Sequence, residues 1–120
     1  MYNIIFYRDK NGEEPVYNYI KSLREKTDKD SRIKSNKILT YLELLRVHGI
    51  ATGEPYIKHL DGDIWEIRPL RDRILFAAWI ENTFVLLHHF VKKTQKTPRR
   101  EILTAKRLLT DFKERSKHDE

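Results

Sequence analysis

The chain contains no cysteine among its 120 residues. That absence excludes a disulfide framework, a thiolate nucleophile and every thiolate zinc site, and it suits a cytoplasmic protein. Long apolar runs are lacking as well. The longest, around residues 74–80 and 84–87, fall far short of the ~20 residues that span a bilayer, so no membrane partner is expected. The first residues, Met-Tyr-Asn-Ile-Ile-Phe-Tyr-Arg-Asp, show no basic segment followed by an apolar one, and no secretory signal is expected. The histidines have no two-histidine metal spacing, the glycine turns lack the spacing of a phosphate loop, and no serine stands in a strand-to-helix elbow. Neither metal nor cofactor is therefore expected.

What is present is charge and clustered apolar residues. The length suits one domain over residues 1–120. Charged residues make up 35% of the chain and the formal net charge is +6. The excess is concentrated. Between Lys92 and Arg107 there are seven cations (Lys92, Lys93, Lys96, Arg99, Arg100, Lys106 and Arg107) against one acid, Glu101. Such a segment suits a polyanionic partner, either nucleic acid or an acidic protein segment, and it equally suits a solvated helix face.

The pattern of elements indicates an α+β fold. Tyr2–Tyr7 reads as a strand closed by the Asn11-Gly12 turn. Pro15 is placed as a first-turn helix residue, and Val16, Tyr19, Ile20 and Leu23 form one helical stripe. A second helix carries Ile33, Ile38, Tyr41, Leu42 and Leu45 on its apolar side, with Gly49 as its stop. Their short polar connection predicts a helical hairpin near the N-terminus. Ile64–Arg68, Arg73–Glu81 and Phe84–Val91 read as strands, with a further short one at Tyr56–His59 and a hairpin turn at Glu81-Asn82-Thr83. Thr97 and Pro98 start a final helix, as cap and first residue, with Ile102, Ala105, Leu109 and Phe112 buried. The polar tail 116–120 is expected to fray. Four to five antiparallel strands with the helices gathered on one face complete the expectation.

Strand alternation sorts the polar residues. Trp65 and Ile67 form the core pair of their strand, leaving Glu66 and Arg68 on the open face; Arg73 joins them from the next strand. One carboxylate, two arginines and one or two lysines on a concave sheet make a phosphate-binding set, because guanidinium groups offer paired donors and keep their charge. The same residues also suit a row of cross-strand Glu–Arg pairs on a solvated sheet. His59, just before the first of these strands, is a candidate proton carrier.

The strings Lys58-His-Leu-Asp-Gly-Asp-Ile-Trp-Glu-Ile-Arg68, Arg73-Ile-Leu-Phe and Leu86-Leu-His-His-Phe-Val-Lys-Lys-Thr-Gln-Lys-Thr-Pro98 resemble the phage-derived branch of the RelE/HigB toxins of type II toxin–antitoxin pairs. The likeness runs from Tyr56 to about Phe112. It implies a RelE-like fold and a ribosome-dependent mRNA endonuclease that cuts A-site codons by metal-free attack of the RNA's own 2′-hydroxyl. By position, it implies Arg68, Arg73 and Lys93 as site cations, with Glu66 as proton acceptor or orienter of the arginines. No tyrosine follows Lys92-Lys93, a departure from the family pattern that leaves the general acid open among Lys93, Lys58 and His59. Lys58, His59, Lys92, Lys96, Arg99 and Arg100 are the expected RNA contacts. The implied partners are the ribosome with its mRNA, a HigA-like helix-turn-helix antitoxin and, through the antitoxin complex, operator DNA. Two other readings fit the same fold: a gyrase-inhibiting toxin without nuclease activity, and a plain RNA- or protein-binding module.

Overall fold

The computed structural model describes residues 1–118, with side chains as far as Lys117. In chain order the elements are β1 (Asn3–Phe6), α1 (Pro15–Glu25), α2 (Lys29–His48), a 3-10 turn (Gly49–Thr52), β2 (Ile57–Asp61), β3 (Ile64–Ile67), β4 (Asp72–Trp79), β5 (Thr83–Val91) and α3 (Arg99–His118). The five strands form one sheet in the order β1-β5-β4-β3-β2.

Local chemistry sets several boundaries. Pro15 opens α1, where its missing N–H costs nothing. The Asp28 carboxylate caps α2 by accepting from the Ser31 N–H. Gly49 ends α2 at φ +60°, and a Cβ there would lie 2.7 Å from the Tyr2 ring, so only glycine fits. Glu81 and Asn82, both at positive φ, make the tight turn that joins β4 to β5.

The fold departs from the expected one in three respects. The sheet is mixed, not antiparallel. β2 through β5 pair antiparallel, but β1 lies parallel to β5, from Asn3 opposite Thr83 to Phe6 opposite Leu86. A strand leads the chain, and residues 15–48 then carry α1 and α2 before the rest of the sheet forms. An intervening helical segment of that length is what permits a parallel neighbour. The helices also cover both faces. Val16, Ile20 and Leu23 of α1 and Ile38 and Leu45 of α2 pack on Ile67, Ile74, Phe76, Phe84 and Leu86. On the other face Ala105 and Leu109 of α3 pack on Ile64, Leu75, Ala77, Val85 and Leu87. Burial on both faces follows from β4, where both alternating sets are apolar. Finally, α3 runs on to His118 instead of fraying at Ser116; residues 119–120 of the expected frayed tail lie outside the described residues. In broad outline this five-stranded α+β arrangement with three helices matches the RelE-like fold.

One core expectation fails in an informative way. Ile33 of α2 was expected in the buried stripe, yet it is 43% exposed, while Ser31 and Ser35 on the same helix are buried.

Candidate functional site

The face that alternation left open is the face that α3 covers, so the expectation of an open concave sheet is corrected. The cover is incomplete. Where the chain passes from β5 into α3, a cleft of about 230 Å³ remains, bordered by β2, β3, the start of β4 and residues 92–97. Its lining includes Glu66, Arg68, Arg73, Lys58, His59, Lys92, Lys96 and Thr97. Residues scattered over 40 positions of sequence therefore meet in one hollow, because strand alternation turns Glu66 and Arg68 to the same side and Arg73 follows on the neighbouring strand.

Glu66 sits at the floor and is 3% exposed. Its Oε1 accepts a hydrogen bond of 2.6 Å from the Thr97 hydroxyl, and its Oε2 lies 3.4 Å from Arg68 Nε. Arg68 also reaches Glu54 at 4.0 Å, and about a quarter of its side chain remains exposed. Arg73 is more enclosed, at 5% exposure. Its Nη1 donates to the Leu70 carbonyl at 2.9 Å and to its neighbour Asp72's carbonyl at 2.8 Å. Burial pulls the Arg73 guanidinium below its ordinary pKa, with Glu66 opposing that shift and Arg68 adding to it. One carboxylate thus pairs with Arg68 and shares its recess with the Arg73 guanidinium, an arrangement that carries net positive charge and suits an anion.

The remaining expected residues divide. Lys58, Lys92 and Lys96 line the cleft, and so does His59. The His59 Nε2 faces the Gly62 carbonyl at 2.7 Å, so that nitrogen carries the proton. Lys93 does not line this cleft; it borders two adjoining hollows, one shared with Arg71 and Arg73, the other with Pro98 and Arg100. The two-residue alternation of His88 and Phe90 continues to Lys92, which places Lys92 rather than Lys93 on the α3 side. Arg99 is engaged elsewhere: it donates to Asp61 at 2.5 Å, beside Lys106 at 2.8 Å. These two cations hold the Asp61 carboxyl down at about 2. Arg100 lies in the hollow with Lys93, outside the cleft.

Thr97 is the residue that sequence reasoning missed. It was expected to cap α3. Its hydroxyl instead donates to Glu66, and the Pro98 carbonyl closes the first turn by accepting from the Glu101 and Ile102 N–H groups. A threonine before a proline reads as a helix start, and nothing in that local pattern reports a carboxylate 31 positions upstream.

Behind the sheet lies a second polar cluster. Asp72, fully buried, accepts from Tyr19 at 2.7 Å and lies 3.0 Å from His89 Nε2 and 3.7 Å from Lys34 Nζ. The Tyr19 ring stacks on His89 with centroids 3.5 Å apart. Burial pushes the Asp72 carboxyl up, but hydrogen bonds from His89 and Tyr19 and the charge of Lys34 outweigh it and hold the group below the usual range.

No curated protein matches the chain. The family model described as Phage derived protein Gp49-like (DUF891) matches residues 18–110, a span that includes every cleft residue named above and well over half of the chain. On that match the chain belongs to the phage-derived Gp49-like family, a family of RelE/HigB-like toxins.

Proposed function

We propose that the protein is the toxin of a type II toxin–antitoxin pair and acts in the cytoplasm as a ribosome-dependent mRNA endonuclease. The observation that carries this reading is the meeting of Glu66, Arg68 and Arg73 with Lys58, Lys92 and Lys96 in one cleft. Arg68 and Arg73 grip the scissile phosphate and neutralise the charge that grows on its oxygens in the transition state. The 2′-oxygen of the preceding ribose attacks phosphorus, the bond to the 5′-oxygen breaks, and a 2′,3′-cyclic phosphate and a 5′-hydroxyl result. The proton lost by the 2′-hydroxyl goes to Glu66, whose carboxylate is aimed by Thr97 and Arg68. The 5′-oxygen takes its proton from a side chain of the cleft, with Lys58 and His59 as the candidates; Lys93, which borders the adjoining hollows, is set aside for this role. In-line placement of the 2′-oxygen on the ribosome supplies a large share of the rate, so the protein needs no nucleophile of its own. Lys96 and the Arg99–Arg100 corner extend the positive surface beyond the cleft, suiting both ribosomal RNA and an acidic helix-turn-helix antitoxin that covers the site.

Primer extension on ribosome-bound mRNA tests the reading. The wild-type chain should give new 5′-ends within the A-site codon, and Arg73→Ala should abolish them. Intact mRNA in the presence of folded wild-type protein would overturn it.

A further inference from the structure

Next to the cleft, the loop from β3 to β4 spends stability without return to the fold. Leu70 lies in the left-handed region at φ +58°, where a branched aliphatic residue is strained and glycine or asparagine is favoured. Its side chain is 48% exposed, so it adds little to either core. Ile33 from α2 and Val91 from the end of β5, exposed at 43% and 40%, stand beside it. Together with Asp30, Lys34 and Arg71 these three enclose a hollow of about 260 Å³ with an apolar floor and a charged rim. Leu70 and Arg71 also border the hollow that contains Arg73, Lys92 and Lys93, and Arg73 and Lys92 in turn belong to the cleft. Neighbouring depressions thus share walls around the β3–β4 end of the sheet, Leu70 and Arg71 between the first two and Arg73 and Lys92 between the second and the cleft, and four of these shared or adjacent residues are cations.

The Leu70 conformation is held from the catalytic side. The Leu70 carbonyl accepts from Arg73 Nη1, and Arg71 is pinned by exchange with Lys92: the Lys92 N–H donates to the Arg71 carbonyl at 2.7 Å, and Arg71 Nη2 to the Lys92 carbonyl at 3.3 Å. On the nuclease reading, a strand gripped at Arg68 and Arg73 would have Lys92, Lys93 and Arg71 beside it on the way to this hollow. We infer that the Leu70–Ile33–Val91 hollow is a nucleobase subsite, taking the base of a nucleotide next to the cut and thereby setting sequence preference. Single-stranded RNA is read by splaying a base onto an apolar or guanidinium surface and bonding its edge. Here Leu70, Ile33 and Val91 offer the surface, Arg71 a planar cation, and Asp30 and Lys34 an acceptor and a donor at the rim. The inference rests on the nuclease reading, which supplies the strand.

Leu70→Gly gives a direct test, because it deletes the apolar contact while removing the backbone strain. Its thermal midpoint should equal or exceed that of the wild type. The probe is ribosome-bound mRNA carrying each of the four bases at positions flanking the cut. Wild-type protein should prefer some bases. Leu70→Gly should cut on the order of tenfold more slowly at the preferred base, the size of losing one stacking platform, and flatten the preference. Ile80→Ser, at the opposite end of β4, should behave as wild type. Wild-type cleavage with an unchanged preference in folded Leu70→Gly overturns the subsite and leaves the nuclease intact. Loss of antitoxin binding with no change in cleavage pattern assigns the hollow to protein and also overturns it. No wild-type cleavage removes the nuclease reading first.

Discussion

Asp72 and Arg73 are neighbours on β4, both buried, and they point to opposite faces of one sheet. Behind the sheet Asp72 is matched by a tyrosine, a histidine and a lysine drawn from α1, β5 and α2. All three partners reach Oδ1, while Oδ2 is buried without a hydrogen-bond partner, and the cluster ties both helices to the sheet. In front, Arg73 shares a recess with Arg68 and a single carboxylate, Glu66. There positive charge exceeds negative, and the recess opens to solvent. The same cost of burying charge is met in two ways. The rear cluster surrounds its carboxylate with groups of the protein itself, whereas the front keeps more cations than carboxylates beside solvent.

That contrast is broken or sharpened most strongly at Asp72. Removing it leaves Tyr19, His89 and Lys34 facing a buried space with no acceptor. Asp72→Ala should lower the unfolding free energy by about 3–5 kcal/mol, read from urea denaturation. A variant as stable as the wild type would show that the rear cluster is decorative. Arg68→Ala tests the front in the opposite sense. Stability should fall by less than at Asp72, since Arg68 is part-exposed and Glu66 keeps its Thr97 hydrogen bond, while cleavage of ribosome-bound mRNA should fall roughly 10²–10³-fold. Should Arg68→Ala unfold the protein instead, the two clusters would be alike and the front would lose its claim to be a site.

Thr97 sharpens the comparison further, for it reaches Glu66 from outside the sheet. Thr97→Val deletes the hydroxyl and keeps the shape. Cleavage should drop on the order of tenfold, as expected for one hydrogen bond to a charged group, and Thr97→Ser should restore it. Equal loss in both variants would mean that the threonine's methyl packing, not its hydrogen bond, is what the cleft needs.

The sequence made some of this legible and hid the rest for physical reasons. Pro15, Gly49 and the Glu81-Asn82 turn mark boundaries because each acts on its own backbone, and local rules describe them well. Alternation brought Glu66, Arg68 and Arg73 together correctly, since period two survives wherever strands are regular. It misplaced the second helical layer. Leu75 and Ala77 alternate with Ile74 and Phe76, so both faces of β4 are apolar and each takes a helical layer. Lys93 came from resemblance, whereas alternation beyond Phe90 favours Lys92 for the cleft. Ile33 fits a helical stripe by spacing, but whether a stripe is covered depends on what packs against it, and the β3–β4 loop leaves that end bare. Thr97 and Asp72 act over long sequence separations, which no local pattern encodes.

The smallest effect is expected at the front's outer edge, where Asp61 clasps Arg99 and Lys106 of α3 to the β2–β3 turn. These groups are partly exposed, so solvent and salt screen them, unlike either buried cluster. Asp61 is nonetheless held at about 2, below the ordinary 3.8 of an aspartate, chiefly by the hydrogen bonds from Lys106 and Arg99. The sign follows from linkage. A carboxyl with a depressed pKa in the folded state stabilises that state at pH above its unfolded value; the contribution fades as pH falls from near 3.8 toward 2. Below that range both states bind the proton and nothing remains. Asp61→Asn should therefore be slightly less stable than the wild type at neutral pH, and the two melting curves should converge as pH falls through that window. High salt should also narrow the gap at pH 7. A gap that persists at pH 2 would show that Asp61 acts through its shape and uncharged hydrogen bonds. In that event the clasp would resemble the closed cluster behind the sheet more than the charged cleft beside it.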